Sequence, residues 1–409
     1  MDPNQLIDSL ESAIKVWRAQ QEPSNELPAT KASAESGRKA VLAAAQSLVT
    51  ALEGPRNILV QISKMPVGHA ALRTALKLNI FENWASNQIK NANELAGETS
   101  AEEALIVRIM RALVGMRIFQ EKAENTYSHT SLSLELIDPT FRTMITGMAS
   151  TASLTMAKLP EYLAATGFEN PKDPENALFQ FALDTKLNMF QWLEQHPEQL
   201  AAFSALQAAS TKRRGPVLQA TLSGLLSSES TVLREGEQRE EDRVLLVDVG
   251  AGRGRLLGDI RKSNDLAGRI IAQDLPEVVG GRDSVSGVEN MAFDFLQPQP
   301  VRGASIYFFS HIFHDWPDTT CRQILANTVP ALKANHSRIV IVDQVLPNID
   351  APAISSLLDL TMMTFGGCER TEREWRELLE GVGLSVVSIN QSKTGVPGSD
   401  GLIIAVLRA

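Results

Sequence analysis

The residues best able to do chemistry lie between positions 246 and 371. Leu246-Val247-Asp248-Val249 leads into Gly250-Ala251-Gly252-Arg253-Gly254 and then Arg255-Leu256-Leu257, the pattern of a buried strand that turns sharply into a helix. Glycines in such a turn let the backbone approach a ligand with no Cβ in the way. The Gly-x-Gly-x-Gly spacing is tighter than the dinucleotide fingerprint, whose helix N-terminus must meet a pyrophosphate. A nucleoside without a pyrophosphate needs less of that N-terminus, so the compact loop favours S-adenosylmethionine over NAD. Asp274, in Gln273-Asp274-Leu275-Pro276, stands about twenty residues further on, where a carboxylate can accept hydrogen bonds from both ribose hydroxyls. It could equally cap the following helix. Asp294, after a third strand, is a weaker candidate for contacting adenine.

A second group is Phe308-Phe309-Ser310-His311-Ile312-Phe313-His314-Asp315-Trp316-Pro317-Asp318, where a fourth strand ends. In an open α/β sheet, ligands sit at the carboxyl ends of the strands. An imidazole there can take a proton from a phenol or alcohol, provided a partner fixes its tautomer and stabilises the imidazolium. Asp343, in Ile341-Val342-Asp343-Gln344, and Glu369, in Gly367-Cys368-Glu369-Arg370-Thr371, are the candidate partners. Spacing does not rank them, and Glu369 reads equally as an exposed loop charge or as part of a helix cap.

The elements that must position these groups follow from pattern. Beyond position 243, short apolar runs alternate with helical stretches: Val244–Val249, Arg269–Gln273, Ser305–Phe309, Arg338–Val342, Leu384–Ile389 and Leu402–Leu407. This alternation predicts a largely parallel sheet covered by helices, with the last two strands joined too closely for a crossover and therefore antiparallel. The first third reads as mainly helical, with helices at Leu6–Trp17, Lys39–Leu52 and Met65–Trp84 and a polar loop from Gln21 to Gly37. Asn91–Phe119 reads as two short helices followed by a hairpin, a winged-helix pattern. Residues 141–226 form a further helical block, in which aromatic residues such as Phe179, Phe181, Phe190, Trp192 and Phe203 are more often core than pocket lining. The segment Ser227–Asp242 is the expected boundary, so the domains are 1–140, 141–226 and 243–409.

Bulk properties exclude several classes. A chain of 409 residues, 44% hydrophobic and 21% charged, has room for more than one core and is not pervasively disordered. The net charge of -9, and basic clusters as short as Lys212-Arg213-Arg214, argue against nucleic acid despite the winged helix. Two cysteines, Cys321 and Cys368, imply neither a disulfide framework nor a zinc site. No basic leader or bilayer-length apolar run is present, so a soluble cytoplasmic protein with no membrane partner is expected.

Together these blocks resemble the plant- and fungal-type S-adenosylmethionine-dependent O-methyltransferases of the class I fold. The matching pieces are Asp248-Val249-Gly250-Ala251-Gly252-Arg253-Gly254, Gln273-Asp274-Leu275-Pro276, His314-Asp315-Trp316-Pro317-Asp318, Val342-Asp343-Gln344-Val345-Leu346-Pro347, and Asp359-Leu360-Thr361-Met362-Met363 followed by Glu369-Arg370-Thr371. The likeness continues less sharply through Leu52-Glu53-Gly54-Pro55 and Phe190-Gln191-Trp192-Leu193.

The resemblance implies an α/β, Rossmann-like domain with a doubly wound, mostly parallel seven-stranded sheet, preceded by a helical winged-helix domain that makes an intertwined homodimer. It implies S-adenosylmethionine as cofactor, no metal, and a small aromatic or polyketide-like secondary metabolite in the inter-domain cleft. Gly250, Gly252, Asp274 and Asp294 would surround the cofactor, with Asp248, Leu275, Phe295 and Ser310 beside them. His314 would be the base flanked by Asp343 and Glu369, and Met189, Trp192, Phe203, Met362 and Met363 would line the substrate site, although methionines also serve as core filler. Ser310 departs from many fungal relatives, which carry a basic residue four positions before the histidine. Some proteins on this scaffold act instead as pericyclases or dehydratases, so likeness of scaffold leaves that alternative open.

Overall fold

Asn91 ends a strand and starts a helix at once. Its side-chain oxygen accepts the Glu94 N–H at 2.9 Å while the Glu94 carboxylate accepts the Asn91 N–H at 2.7 Å, a reciprocal cap for donors that a helix start leaves open. The structure is a computed structural model that describes residues 2–21, 31–82, 84–229, 243–252, 254–263, 268–281, 285–390 and 400–408, in two compact units, Met1–Arg142 and Thr143–Ala409.

In the first unit, helices Pro3–Ala19, Lys31–Glu53 and Pro55–Lys77 precede β1 (Ile89–Asn91), helices Ala92–Thr99 and Glu103–Gly115, β2 (Phe119–Ala123) and β3 (Thr126–His129). The three strands pair antiparallel in the order β1-β3-β2, which gives the winged-helix pattern. Ile106, Met110 and Leu113, at helical spacing on Glu103–Gly115, are buried, as are Phe119 and Tyr127 from the hairpin.

Two readings of this region change. The polar stretch expected to form a loop through Gly37 is already helical from Lys31, because Gly37 is buried against Trp17 of the first helix and its C-cap Gln20, and tertiary packing overrides local polarity. Residues 22–30 of that stretch lie outside the described residues. The helix expected to reach Trp84 stops at Lys77, and Ile80, Phe81 and Trp84 are buried from the turns beyond it.

The second unit begins with helices that include Pro139–Met156, Met189–Glu194 and Pro197–Glu229, the first of them straddling the division between the units. Most of the expected boundary 227–242 lies outside the described residues, and so does Arg253 of the glycine loop. The sheet then follows: β4 (Val244–Val249), β5 (Arg269–Asp274), β6 (Glu289–Ala292), β7 (Ile306–Ser310), β8 (Arg338–Leu346), the two-residue β9 (Arg370–Thr371), β10 (Leu384–Asn390) and β11 (Asp400–Leu407). Among the described residues the order is β10-β11-β8-β7-β4-β5-β6, seven strands along the path, with β9 paired to β8. β4 through β8 are parallel to one another, and β11 runs antiparallel to both β8 and β10.

Strands buried on both faces read as continuous apolar runs, with alternate residues serving opposite layers. Val247, Ile271, Phe309 and Ile341 pack towards Ile324, Leu325, Trp375 and Leu378, while Leu246, Ile270, Phe308 and Val340 pack towards Leu222, Leu226, Leu257 and Ile260. From β4 the chain winds one way to β5 and β6, then returns to place β7 on the other side of β4. The crevice beyond the carboxyl ends of β4 and β7 is therefore the switch point at which doubly wound sheets bind ligands.

Candidate active site

On one side of the switch point, the loop after β4 is tied to β5. Gly250 N–H and Ala251 N–H both donate to the Gln273 carbonyl at 3.0 Å. Gly252 has φ +55°, a left-handed conformation costly for a residue with a Cβ, and its N–H donates to Asp274 Oδ2 at 2.7 Å. Asp274 Oδ1 accepts the Leu275 N–H at 2.9 Å. The N-cap of the next short helix is Leu275, so Asp274 serves the glycine loop and is not that cap.

Among the described residues, a Cβ on Gly252 would meet no atom within 4 Å, so Gly252 presents bare backbone next to the Asp274 carboxylate. That is a surface able to take the amino-acid part and the ribose of a nucleoside cofactor, and the residues present fit S-adenosylmethionine. Asp248 is buried in β4. Asp294 Oδ1 accepts the Leu296 N–H at 2.9 Å, Phe295 lies edge-on to Trp316 at 6.0 Å between ring centroids, and Leu275 is exposed.

On the other side, β7 ends at Ser310, and the tight helical turn Phe313–Asp315 carries His314. His314 Nδ1 lies 3.0 Å from Glu369 Oε1, and Nε2 lies 3.6 Å from Asp315 Oδ1. The Glu369 side chain is 5% exposed, so it is not the surface charge its loop position allowed. The Glu369 N–H donates to Asp359 Oδ1 at 2.8 Å. Asp343, fully buried within β8 and not at its end, accepts the Phe313 N–H at 3.2 Å. The two carboxylates are thereby ranked: Glu369 holds the imidazole, and Asp343 holds the backbone of its turn. Asp343 Oδ1 and Glu369 Oε2 are buried with no hydrogen-bond partner among the described residues.

With Nδ1–H donated to Glu369, Nε2 is the nitrogen left to accept a proton. Burial alone would disfavour the imidazolium, but the charges of Asp315, Asp343 and Glu369 outweigh it and push His314 up to about 10. Burial, opposed by the His314 charge and reinforced by Glu369 and Asp315, pushes Asp343 up to about 7.

Three of the residues expected at the substrate site come together. Met189 is buried with Phe179 and Leu193, and Trp192, Phe203 and Phe365 pack against that group. The Trp192 ring stacks on His196 at 3.6 Å. Met362 ends the helix Ala353–Met362 and Met363 begins the turn that carries Phe365, so these two sit half-buried next to the group without belonging to it.

Sequence reasoning missed a second half-buried pair. Ser310 Oγ lies 3.1 Å from His311 Nδ1, and His311 Nε2 lies 2.9 Å from Asp400 Oδ1. No local spacing could have joined residues 89 positions apart. It also missed Asp315, which sits inside the histidine motif itself.

An O-methyltransferase domain profile matches residues 217–385, and an O-methyltransferase dimerisation domain profile matches residues 61–138. O-methyltransferase mfmE of Annulohypoxylon moriforme is 30% identical over 379 residues, 91% of this chain and 92% of its own. The chain belongs to the O-methyltransferase family. The methyltransferase is also 29% identical over 354 residues to demethylsterigmatocystin 6-O-methyltransferase of Aspergillus parasiticus, covering 86% of this chain and 88% of the relative.

OxaC, solved in complex with SAH and oxaline, matches the methyltransferase with a TM-score of 0.80 at 26% identity over 99% of each chain. A solved pericyclic reaction enzyme matches with a TM-score of 0.74 at 25% identity, over 98% of this chain and 100% of its own. S-adenosylmethionine is the cofactor of the methyltransferase. Among the described residues, no helix is long and apolar enough to cross a membrane.

Gly252→Val would force a β-branched residue into a left-handed conformation and fill the bare surface next to Asp274. Calorimetric titration with S-adenosylmethionine should show clearly weakened binding, whereas undiminished affinity would mean that this loop does not hold the cofactor.

Proposed function

We propose that this enzyme methylates a phenolic or enolic hydroxyl of a small aromatic, polyketide-like secondary metabolite, with His314 as general base. The observation that carries this reading is the 3.0 Å contact between His314 Nδ1 and the buried Glu369, which leaves Nε2 as the proton acceptor at the switch-point edge. Gly250, Gly252 and Asp274, with Asp248, Leu275, Asp294, Phe295 and Ser310 beside them, would hold S-adenosylmethionine, which when bound would supply an electrophilic methyl group.

His314 takes the hydroxyl proton on Nε2, Glu369 keeps the ring oriented, and the surrounding carboxylates balance the charge that develops. A phenol has an unperturbed pKa of about 10, close to that of this imidazole, so proton transfer is nearly balanced in energy. An aliphatic alcohol would be far less acidic. Met189, Trp192, Phe203, Met362 and Met363 offer the apolar and aromatic lining that a planar substrate needs. Holding the oxygen against the methyl carbon can itself supply roughly 7–11 kcal/mol of the barrier.

A second reading, a pericyclase or dehydratase that keeps the cofactor but transfers no methyl group, is favoured by the likeness to the solved pericyclic reaction enzyme. Formation of S-adenosylhomocysteine during incubation with a panel of phenolic polyketides and hydroxylated pyridones separates the two. We further propose a cytoplasmic homodimer. The dimerisation domain supports this, as do Leu59, Ile62 and Met65, exposed at 66%, 55% and 66% along one helix of the isolated chain. Sedimentation at micromolar concentration should find a dimer, and a monomer would remove the basis for this proposal.

His314→Ala should lower turnover about 10²–10⁴-fold while leaving cofactor affinity nearly unchanged. Full methylation by that variant would sink the base assignment.

The pH dependence tests the carboxylates. A base with a raised pKa is protonated and inactive below it, so kcat/KM of the wild type should climb with pH well past the ordinary histidine range. Glu369→Gln removes a negative charge that favours the imidazolium. Its rising limb should therefore move to lower pH while its plateau falls, and an unmoved limb would remove Glu369 from the site.

A further inference from the structure

Arg370 is almost fully buried, at 2% exposed, yet among the described residues its hydrogen bonds go to none of the substrate or cofactor residues named above. Its guanidinium is spent on the turn that carries His314. Nη1 donates to the Phe313 carbonyl at 2.8 Å and Nη2 to the Trp316 carbonyl at 2.9 Å, so the two bonds bracket His314 and Asp315 from the carbonyl side. Nε donates to Asp318 Oδ1 at 2.9 Å, which orients the plane from the start of the following helix. Nη2 also lies 3.3 Å from Cys321 Sγ, and the cation sits 5.4 Å from the centre of the Trp375 ring. A planar fork of donors can hold two carbonyls at a fixed separation, which a lysine cannot reproduce.

The chain reaches this position because Gly367 packs flat against the same turn. A Cβ there would collide with the His314 carbonyl and the Asp315 backbone. With that approach open, consecutive residues grip the turn in different ways, Glu369 by the imidazole ring and Arg370 by the backbone beneath it. Asp343 takes the Phe313 N–H, so the peptide groups flanking the Phe313 residue are fixed at both donor and acceptor.

We propose that Arg370 is a positioning residue for the base: its fork sets the backbone of the Phe313–Trp316 turn so that the His314 ring meets Glu369 on one nitrogen and presents the other to the hydroxyl. The proposal rests on the reading of His314 as base, and its test is chosen to fail separately from that reading.

The test is Arg370→Lys, which keeps the positive charge and loses the fork, in full-length protein. Titration of the His314 ring by NMR, with ¹³C-labelled histidine and the signal assigned by its loss in His314→Ala, reads the geometry without any turnover. In Arg370→Lys the ring's pKa should fall towards that of free histidine as the bond to Glu369 loosens. In parallel, kcat should drop about 10²-fold, the scale expected for misplacing a reacting group by an ångström, with S-adenosylmethionine affinity within about twofold of wild type.

An unchanged His314 titration together with kcat within about twofold would overturn the proposal. A shifted titration with unaffected methylation would keep Arg370 as the organiser of the ring and overturn the base reading instead. Should Arg370→Lys fail to fold, Asp318→Asn carries the same test from a half-exposed carboxylate. There the titration should move in the same direction and kcat fall by roughly tenfold or less, and no movement in either would count against Arg370.

Discussion

The contact between His314 Nδ1 and Glu369 Oε1 has to survive burial, and much of the surrounding structure follows from that. An imidazolium removed from water is unstable unless negative charge stands close by and is held there. Three carboxylates supply that charge, from three places in the chain: Asp315 on the same turn, Asp343 inside β8, and Glu369 ahead of β9. None of them is arranged as a simple surface ion pair. Glu369 has its own N–H held by Asp359, and Asp343 is held by the Phe313 N–H, so two of the three are tied in place around the ring.

The winding of the sheet brings these pieces to one edge. β4 and β7 are neighbours in the sheet although β5 and β6 come between them in sequence, so the glycine loop and the histidine turn emerge side by side. β8 lies next to β7 with Phe309 opposite Ile341 and Ser310 opposite Val342, which places Asp343 just beyond the point where β7 gives way to the turn. β9 pairs with the end of β8 through Val345 and Arg370, which brings Glu369 within reach of the ring. The parallel register thus does what no local motif could: it makes a cluster from residues at 314, 343 and 369.

Most strands of this sheet were legible in the sequence because burial on both faces forces continuous apolar runs, and β4 was bounded by residue as Val244–Val249, whereas the largely exposed edge strand β6, Glu289–Ala292, leaves no such run. The site was legible wherever chemistry is local, as with the glycine loop followed by a carboxylate, or a histidine at a strand end. Long-range geometry was not. Whether Asp343 or Glu369 held the imidazole depended on the β8–β9 pairing, and β9 is two residues long, too short to leave a pattern. Asp400 could not be linked to His311, nor Arg370 to Phe313 and Trp316, for the same reason. At the other end of the chain, residues 31–37 looked like loop because polar residues outnumber apolar ones there, whereas the packing of Gly37 on the first helix depends on a partner that periodicity alone does not reveal.

Methyl transfer and pericyclic rearrangement can share a scaffold, but they place different demands on this edge. Removing a hydroxyl proton creates a cation at His314 during the reaction. A rearrangement without proton transfer creates none. Asp343 Oδ1 and Glu369 Oε2 are buried without hydrogen-bond partners, and such oxygens cost about 1–3 kcal/mol each, more when charged. A site that needed only a polar wall could lower that cost with neutral amides of the same shape. Acids kept there, with the turn between them clamped at both its N–H and its carbonyls, suit a group whose charge changes in each cycle. On the reading proposed here, stability given up at Asp343 and Glu369 is what lets one half-buried imidazole take a proton as acidic as that of a phenol.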